Sequence, residues 1–138
     1  IVTGLVGSEM CIRDSFNANP SSMKAALRLL GQKNIYGNRR VAVLGDMLEL
    51  GMKEVMLHEE ISSWPELAAI DTIHTIGPLM HNLHSQLPIN KKGCHYRNKI
   101  EIISDLENIL RKGDIVLVKS SKSVGLSSLV NAIRDMKI

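Results

Sequence analysis

Val41-Ala42-Val43-Leu44, bounded by Arg40 and Gly45, is an unbroken β-prone apolar run. Strict alternation would mark a strand with one wet face. Four apolar residues in a row suit a strand covered on both faces, as in a parallel sheet. Ile115-Val116-Leu117-Val118 repeats the pattern after the turn signal Gly113-Asp114 and is the clearest strand of the chain. Thr72-Ile73-His74-Thr75-Ile76, closed by Gly77-Pro78, reads as a further strand, and Cys94-His95-Tyr96 as a weaker one.

The text between these runs has helical spacing. Asn19 is a good N-cap and Pro20 suits the first helical position. Met23, Ala26, Leu27 and Leu30 then share a face, and Gly31 offers a stop. Helices are also expected over about Lys53 to Ser63, Leu79 to Gln86, and Ile100 to Leu110, the last with a stripe at Ile103, Leu106 and Leu110. Leu126, Leu129, Val130 and Ile133 mark a final one. Strands alternating with helices mean an α/β fold, a mostly parallel sheet with helices on both faces.

With 138 residues the chain fits one domain with a single core. Aromatics make up only 3%, so Leu, Ile, Val, Met and Ala must build that core. A net charge of +3, scattered and without aromatic company, argues against a nucleic-acid module. Cys11 and Cys94 show no metal-type spacing and suit a reducing cytoplasm. No apolar stretch is long enough to span a membrane, and Ile1 to Gly7 lacks the basic leader and cleavage site of a signal peptide. Val6 to Ser15 back-translates, in one frame, into the end of a transposon-type sequencing adaptor. Residues 1–13 are therefore read as a non-native segment, and residues 14–138 as the domain.

In a parallel sheet, ligands sit beyond the carboxyl ends of the strands. That rule selects Asp14 to Pro20, Gly45 to Gly51 and Lys119 to Gly125. In the first, a carboxylate and two amides could meet ribose hydroxyls and phosphate, or Asn17 and Asn19 could simply turn and cap the chain. In the second, Asp46 leaves a buried strand towards the crevice, or with the glycines it merely shapes a turn. In the third, Lys119, Ser120 and Ser121 arrive at a helix start that favours a carboxylate or phosphate. The alternative is that Ser121 or Ser123 caps the helix and the lysines are solvated. His58, His74, His81, His84 and His95 form no paired-ligand pattern, so structural or surface roles are expected and no metal site. There is no G-x-x-x-x-G-K-[ST] loop to cradle ATP phosphates.

Together these segments resemble the C-terminal domain of the Mur ligases, in the branch that adds D-alanyl-D-alanine. The branch's D-D-S-[YF]-N-A-N-P-x-S-M pattern is matched from its second aspartate by Asp14-Ser15-Phe16-Asn17-Ala18-Asn19-Pro20-Ser21-Ser22-Met23, with Arg13 in place of the first. V-L-G-D-M-x-E-L-G is present in full at Val43 to Gly51, and His58 follows at the usual distance. V-L-V-K-G-S appears as Val116 to Ser121, with Ser120 in place of glycine.

The resemblance implies a Rossmann-like domain of an ATP- and magnesium-dependent amide-forming ligase of cytoplasmic peptidoglycan precursor synthesis. Its substrates would be UDP-N-acetylmuramoyl-tripeptide and D-Ala-D-Ala, joined through an acyl phosphate. It implies ATP-side contacts for Asp14, Asn17 and Asn19, and dipeptide-side contacts for Lys119, Ser120 and Ser121, with Asp46 at the rim of the crevice. ATP and magnesium would be held mainly by a central ATPase domain of the same, monomeric, protein. No catalytic residue and no metal ligand is expected within this chain, which alone would be inactive. Competing readings are a non-catalytic α/β partner-binding module and another ligase of the superfamily, such as a folylpolyglutamate synthetase.

Overall fold

A computed structural model describes residues 2–6, 9–13, 19–32, 38–121 and 124–136. Its strands are β1 (Val2–Val6), β2 (Glu9–Arg13), β3 (Arg40–Gly45), β4 (Thr72–Ile76), β5 (Lys92–Tyr96) and β6 (Ile115–Lys119). Its α-helices are α1 (Pro20–Gln32), α2 (Glu54–Glu60), α3 (Met80–Gln86), α4 (Lys99–Ile109) and α5 (Ser127–Arg134).

The two strongest apolar runs are neighbours. β3 and β6 pair in parallel, with Val41 opposite Val116 and Leu44 opposite Lys119. The sheet runs β1-β2-β6-β3-β4-β5, parallel throughout except for β1, which pairs antiparallel with β2. Successive side chains of a strand face opposite ways, so each run feeds two cores. Ala42, Leu44, Ile115 and Leu117 pack with Met23, Leu27 and Leu30 of α1 and with Met80 and Leu83 of α3. Val41, Val43, Val116 and Val118 pack with Ile102 and Leu106 of α4 and with Leu129, Val130 and Ile133 of α5. Fully burying such a side chain is worth about 1.5–3 kcal/mol. The α/β fold with helices on both faces is as expected.

Local chemistry sets the element ends. Asn19 caps α1: its side-chain oxygen accepts the Ser22 N–H at 2.9 Å, while its own N–H donates to the Ser22 hydroxyl at 3.0 Å. The single helix expected over 53–63 is instead a 3₁₀ turn (Gly51–Lys53), α2, and a second 3₁₀ turn (Ile61–Ser63). Ser62 and Ser63 donate to the carbonyls of Glu59 and Glu60. Pro65 then keeps Trp64 extended at φ −71°, ψ 133°. In α4 the buried stripe is Ile102, Leu106 and Ile109, with Ile103 only partly covered. The expected stripe was displaced by one residue at Ile103, because the helix starts from an Asn98 cap that turns Ile102 to the sheet.

Residues 9–13, within the stretch read as non-native, form a strand of the sheet beside β6. β2 pairs with it in parallel, Met10 opposite Ile115 and Arg13 opposite Val118.

Candidate functional site at the carboxyl end of the sheet

Register places the carboxyl ends of four strands side by side. Arg13 lies opposite Val118, Leu44 opposite Lys119, and Gly45 opposite Ile76. Parallel neighbours are spaced about 4.8 Å apart, so the segments leaving β2, β6, β3 and β4 share one end of the domain. Two of the three predicted segments, Gly45 to Gly51 and Lys119 to Ser121, are in direct contact there. Asp14 and Asn17 lie outside the described residues, and Asn19 is the α1 cap.

Asp46 joins three of these segments. Its carbonyl accepts the Ser121 N–H at 3.0 Å, and its carboxylate Oδ1 accepts the Met80 N–H at 2.8 Å, at the start of α3. The carboxylate is buried, and a negative group at a helix start is favoured by the free N–H groups there. Gly77 makes this possible. Its φ of 103° suits glycine, and a Cβ there would come within 2.6 Å of the Asp46 carboxylate.

Lys119, Ser120 and Ser121 are all buried. The Ser121 hydroxyl accepts the Leu48 N–H at 2.7 Å, its carbonyl accepts the Val124 N–H at 3.0 Å, and the Ser120 hydroxyl donates to that same carbonyl at 3.1 Å. Serine at position 120 is accommodated by glycine at 45: a Cβ on Gly45 would stand 2.7 Å from the Ser120 Cβ. His58 holds the same loop from α2. Its Nε2 accepts the Met47 N–H at 3.0 Å, and its Nδ1 lies 2.6 Å from the Glu54 carbonyl, the geometry of a ring protonated at Nδ1. His58 is fully buried, with both ring nitrogens facing main-chain groups.

Beside these loops a cavity of about 330 Å³ opens, lined by Asp46, Gly77, Pro78, Arg97, Lys99 and Val124 among others. Lys99 reaches across it to donate to the Gly125 carbonyl at 3.1 Å, and Arg97 pairs with Glu101 at 2.8 Å. This β5–α4 contribution lies outside the three segments selected from the sequence. The available signal was Asn98 three residues before Glu101, a helix-start pair directly after a strand. The lining offers a carboxylate on one side, two cations on the other and apolar walls, a setting for a small polar molecule with both charges.

The histidines gather more than their spacing suggested. The rings of His81, His84 and His95 lie 5.0–6.3 Å apart, centre to centre. Burial, with neighbouring positive charge, holds His84 and His95 below the usual histidine range. Among the described residues no group of His, Cys, Asp and Glu is arranged to hold a metal ion.

Residues 2–122 match the family of the Mur ligase, glutamate ligase domain. The chain belongs to that family. This Mur ligase domain is 35% identical over 122 residues to the UDP-N-acetylmuramoyl-tripeptide--D-alanyl-D-alanine ligase of Bacillus subtilis, a match covering 86% of the chain and 26% of the relative. It is 32% identical over 120 residues to the ligase of the same name from Rickettsia prowazekii, covering 87% of the chain and 26% of the relative. The chain thus spans about a quarter of the length of these relatives and corresponds to their C-terminal domain. Among solved structures, the MurF ligase of Thermotoga maritima, in complex with ADP, superposes with a TM-score of 0.77 at 22% identity, over 96% of this chain and 29% of that one. The shared fold is that of a MurF C-terminal domain.

Proposed function

We propose that this Mur ligase domain serves the ATP-dependent joining of D-alanyl-D-alanine to UDP-N-acetylmuramoyl-tripeptide, in cytoplasmic peptidoglycan precursor synthesis. One observation carries the reading: the loop after β3, whose Asp46 lines a cavity and is bonded to Ser121 of the loop after β6, lies at the strand ends of a chain whose relatives are named for that reaction. The whole protein would supply a central ATPase domain and a domain for the UDP-linked substrate, and would act as a monomer. In the reaction an oxygen of the tripeptide carboxylate takes the γ-phosphoryl group of ATP, releasing ADP. The amine of D-Ala-D-Ala then attacks the acyl carbon and expels phosphate.

Within that scheme this chain would position rather than react. Asp14, with Asn17 and Asn19 nearby, would meet the ATP ribose. Lys119, Ser120 and Ser121, buried behind the Val124 wall, would hold the dipeptide carboxylate once their loop moves, and Asp46 would fix the rim of the cavity. Ser121 is bonded to Val124, which lines the cavity, so a shift of this loop would move the wall. Magnesium is assigned to the central domain, which would supply phosphate-charge neutralisation. Closure of this domain over the central one would exclude water and align amine with acyl phosphate. Residues 1–13 would be foreign in origin although the family match begins at residue 2, and β2 would then stand in for a first strand along β6.

Purified chain incubated with UDP-N-acetylmuramoyl-tripeptide, ATP, magnesium and D-Ala-D-Ala should release no ADP above background. Appended to the preceding domains of a relative, it should restore ligation. Robust turnover by the chain alone, or none by the joined protein, would sink the reading.

A further inference from the structure

Among the described residues a second hollow, of about 230 Å³, lies at the amino ends of β3 and β6. It is lined by Asn38, Arg39, Arg111, Lys112, Gly113 and Asp114, none of which lines the Asp46 cavity. The six residues of β3, at about 3.3 Å each, separate the two. The function proposed above gives this end of the sheet no role.

The acceptors around it are taken. Both Asp114 oxygens accept from Arg39, at 3.1 and 2.6 Å, and Oδ2 also accepts the Arg111 N–H at 2.8 Å. The Ile109 carbonyl at the end of α4 accepts from Arg39, the Arg111 carbonyl from the Asp114 N–H, and the Gly113 carbonyl from the Asn38 side chain. The donors are in surplus. Those bonds use Nε and Nη2 of Arg39 and leave Nη1 with no hydrogen bond among the described residues. The exposed Arg111 and Lys112 side chains form no ion pair or hydrogen bond there either.

Charge points the same way. Asp114 offsets Arg39, and no residue lining the hollow offsets Arg111 and Lys112. Cations beside a helix end often answer its bare carbonyls, but here Arg39 already meets the Ile109 carbonyl. Surplus donors and two uncompensated positive charges suit a ligand that only accepts and carries two negative charges. A carboxylate has one charge and two oxygens. A phosphoryl group has more of both, and arginine meets it with paired N–H groups.

We propose that the hollow at the amino ends of β3 and β6 is a phosphate-binding site, where Arg111 and Lys112 hold a phosphoryl dianion against the Arg39–Asp114 pair. The ligand is free phosphate or the phosphoryl group of a small monoester, for which the hollow has room. The site lies at the end of the sheet away from Asp46 and Lys119, so its occupant is not a substrate of the ligation.

The test is an NMR titration of the whole 138-residue chain, isotope-labelled, with sodium phosphate, glycerol phosphate, or sodium chloride at matched ionic strength. It is run well above the second phosphate pKa of about 6, so that the anion is doubly charged. The amide signals of Lys112, Gly113 and Asp114 should shift saturably with phosphate and not with chloride. Arg111→Gln/Lys112→Gln should weaken binding at least about tenfold, through loss of two charge-assisted contacts. Both side chains are exposed and unbonded, so its thermal midpoint without phosphate should match that of the unaltered chain. Phosphate should raise the midpoint of the unaltered chain and not that of the variant. Tighter binding of glycerol phosphate than of phosphate identifies a monoester as the ligand, and equal or weaker binding identifies the free ion. Shifts that chloride reproduces, that persist unchanged in the variant, or that centre on Asp46 and Val124 would each overturn the proposal. So would the absence of any saturable shift.

Discussion

The two ends of the sheet use buried charge in different ways. At the amino end Arg39 and Asp114 form a forked pair at 3.1 and 2.6 Å, and Arg39 also donates to the Ile109 carbonyl. Asp114 accepts the Arg111 N–H as well, so charges and main chain close on one another. At the carboxyl end Asp46 is also buried, yet its carbonyl and carboxylate join backbone N–H groups from two other segments around a cavity. Both border a hollow, of about 230 Å³ beside the Arg39–Asp114 pair and about 330 Å³ beside Asp46. Burial of a charged group is thus no sign of function by itself. What distinguishes the two is the partner, a neutralising guanidinium at one end and backbone N–H groups of two loops at the other.

The sharpest way to break this contrast is at the charge-paired end. Asp114→Ala leaves the Arg39 guanidinium without its carboxylate and should cost about 4 kcal/mol of stability in urea unfolding. Once refolded below its new midpoint, the variant joined to the preceding domains of a relative should retain its nucleotide affinity. A large loss of affinity would mean that the two ends are not separable.

A somewhat smaller effect comes from His74, in the middle of β4. Burial first, and then Arg39, lower its pKa from 6.5 to about 4, and its Nδ1 accepts the Cys94 N–H at 3.0 Å. The unfolded ring takes a proton more readily than the folded one. Stability should therefore be level above pH 6.5 and fall as pH drops from 6.5 towards 4, by about 3 kcal/mol in all. His74→Gln should flatten that slope in calorimetric scans over the same range, and an unchanged slope would assign it to other groups.

Next come the loops at the carboxyl end. Gly45→Ala would press a methyl group against Ser120 and should cost about 2 kcal/mol. Adding Ser120→Gly should return about half of the loss, a coupling that a double-mutant cycle reads directly. Strict additivity would deny the close approach. Smallest is Ser121→Ala, which leaves the Leu48 N–H without its acceptor and should cost about 1 kcal/mol. It should also raise the hydrogen-exchange rate of Leu48 before that of any residue in β3 or β6.

Much of this was legible along the chain because it depends on neighbours in sequence. Val41–Leu44 and Ile115–Val118 carry the hydrophobicity of doubly covered strands, and Met23, Ala26, Leu27 and Leu30 lie on one helical face whatever they meet. The cavity was only half legible. Its β3 loop and Val124 fall in segments found from the strand-end rule, but its other wall is formed by Arg97 and Lys99, residues unremarkable in their own stretches. His81, His84 and His95 show the same limit, since two share a helix and the third arrives from β5.

Sequence alone determined the order of the main helices and strands from α1 onward, the parallel character of the sheet and the membership signalled by Val43 to Gly51 and Asp14 to Met23, because periodicity and motif spacing are properties of the chain itself. Tertiary structure alone decided that Asp46 is a buried tie between loops, that Gly45 makes room for Ser120, and which strand ends share a hollow. Those facts depend on register between segments some seventy residues apart, and no local pattern encodes which strands become neighbours.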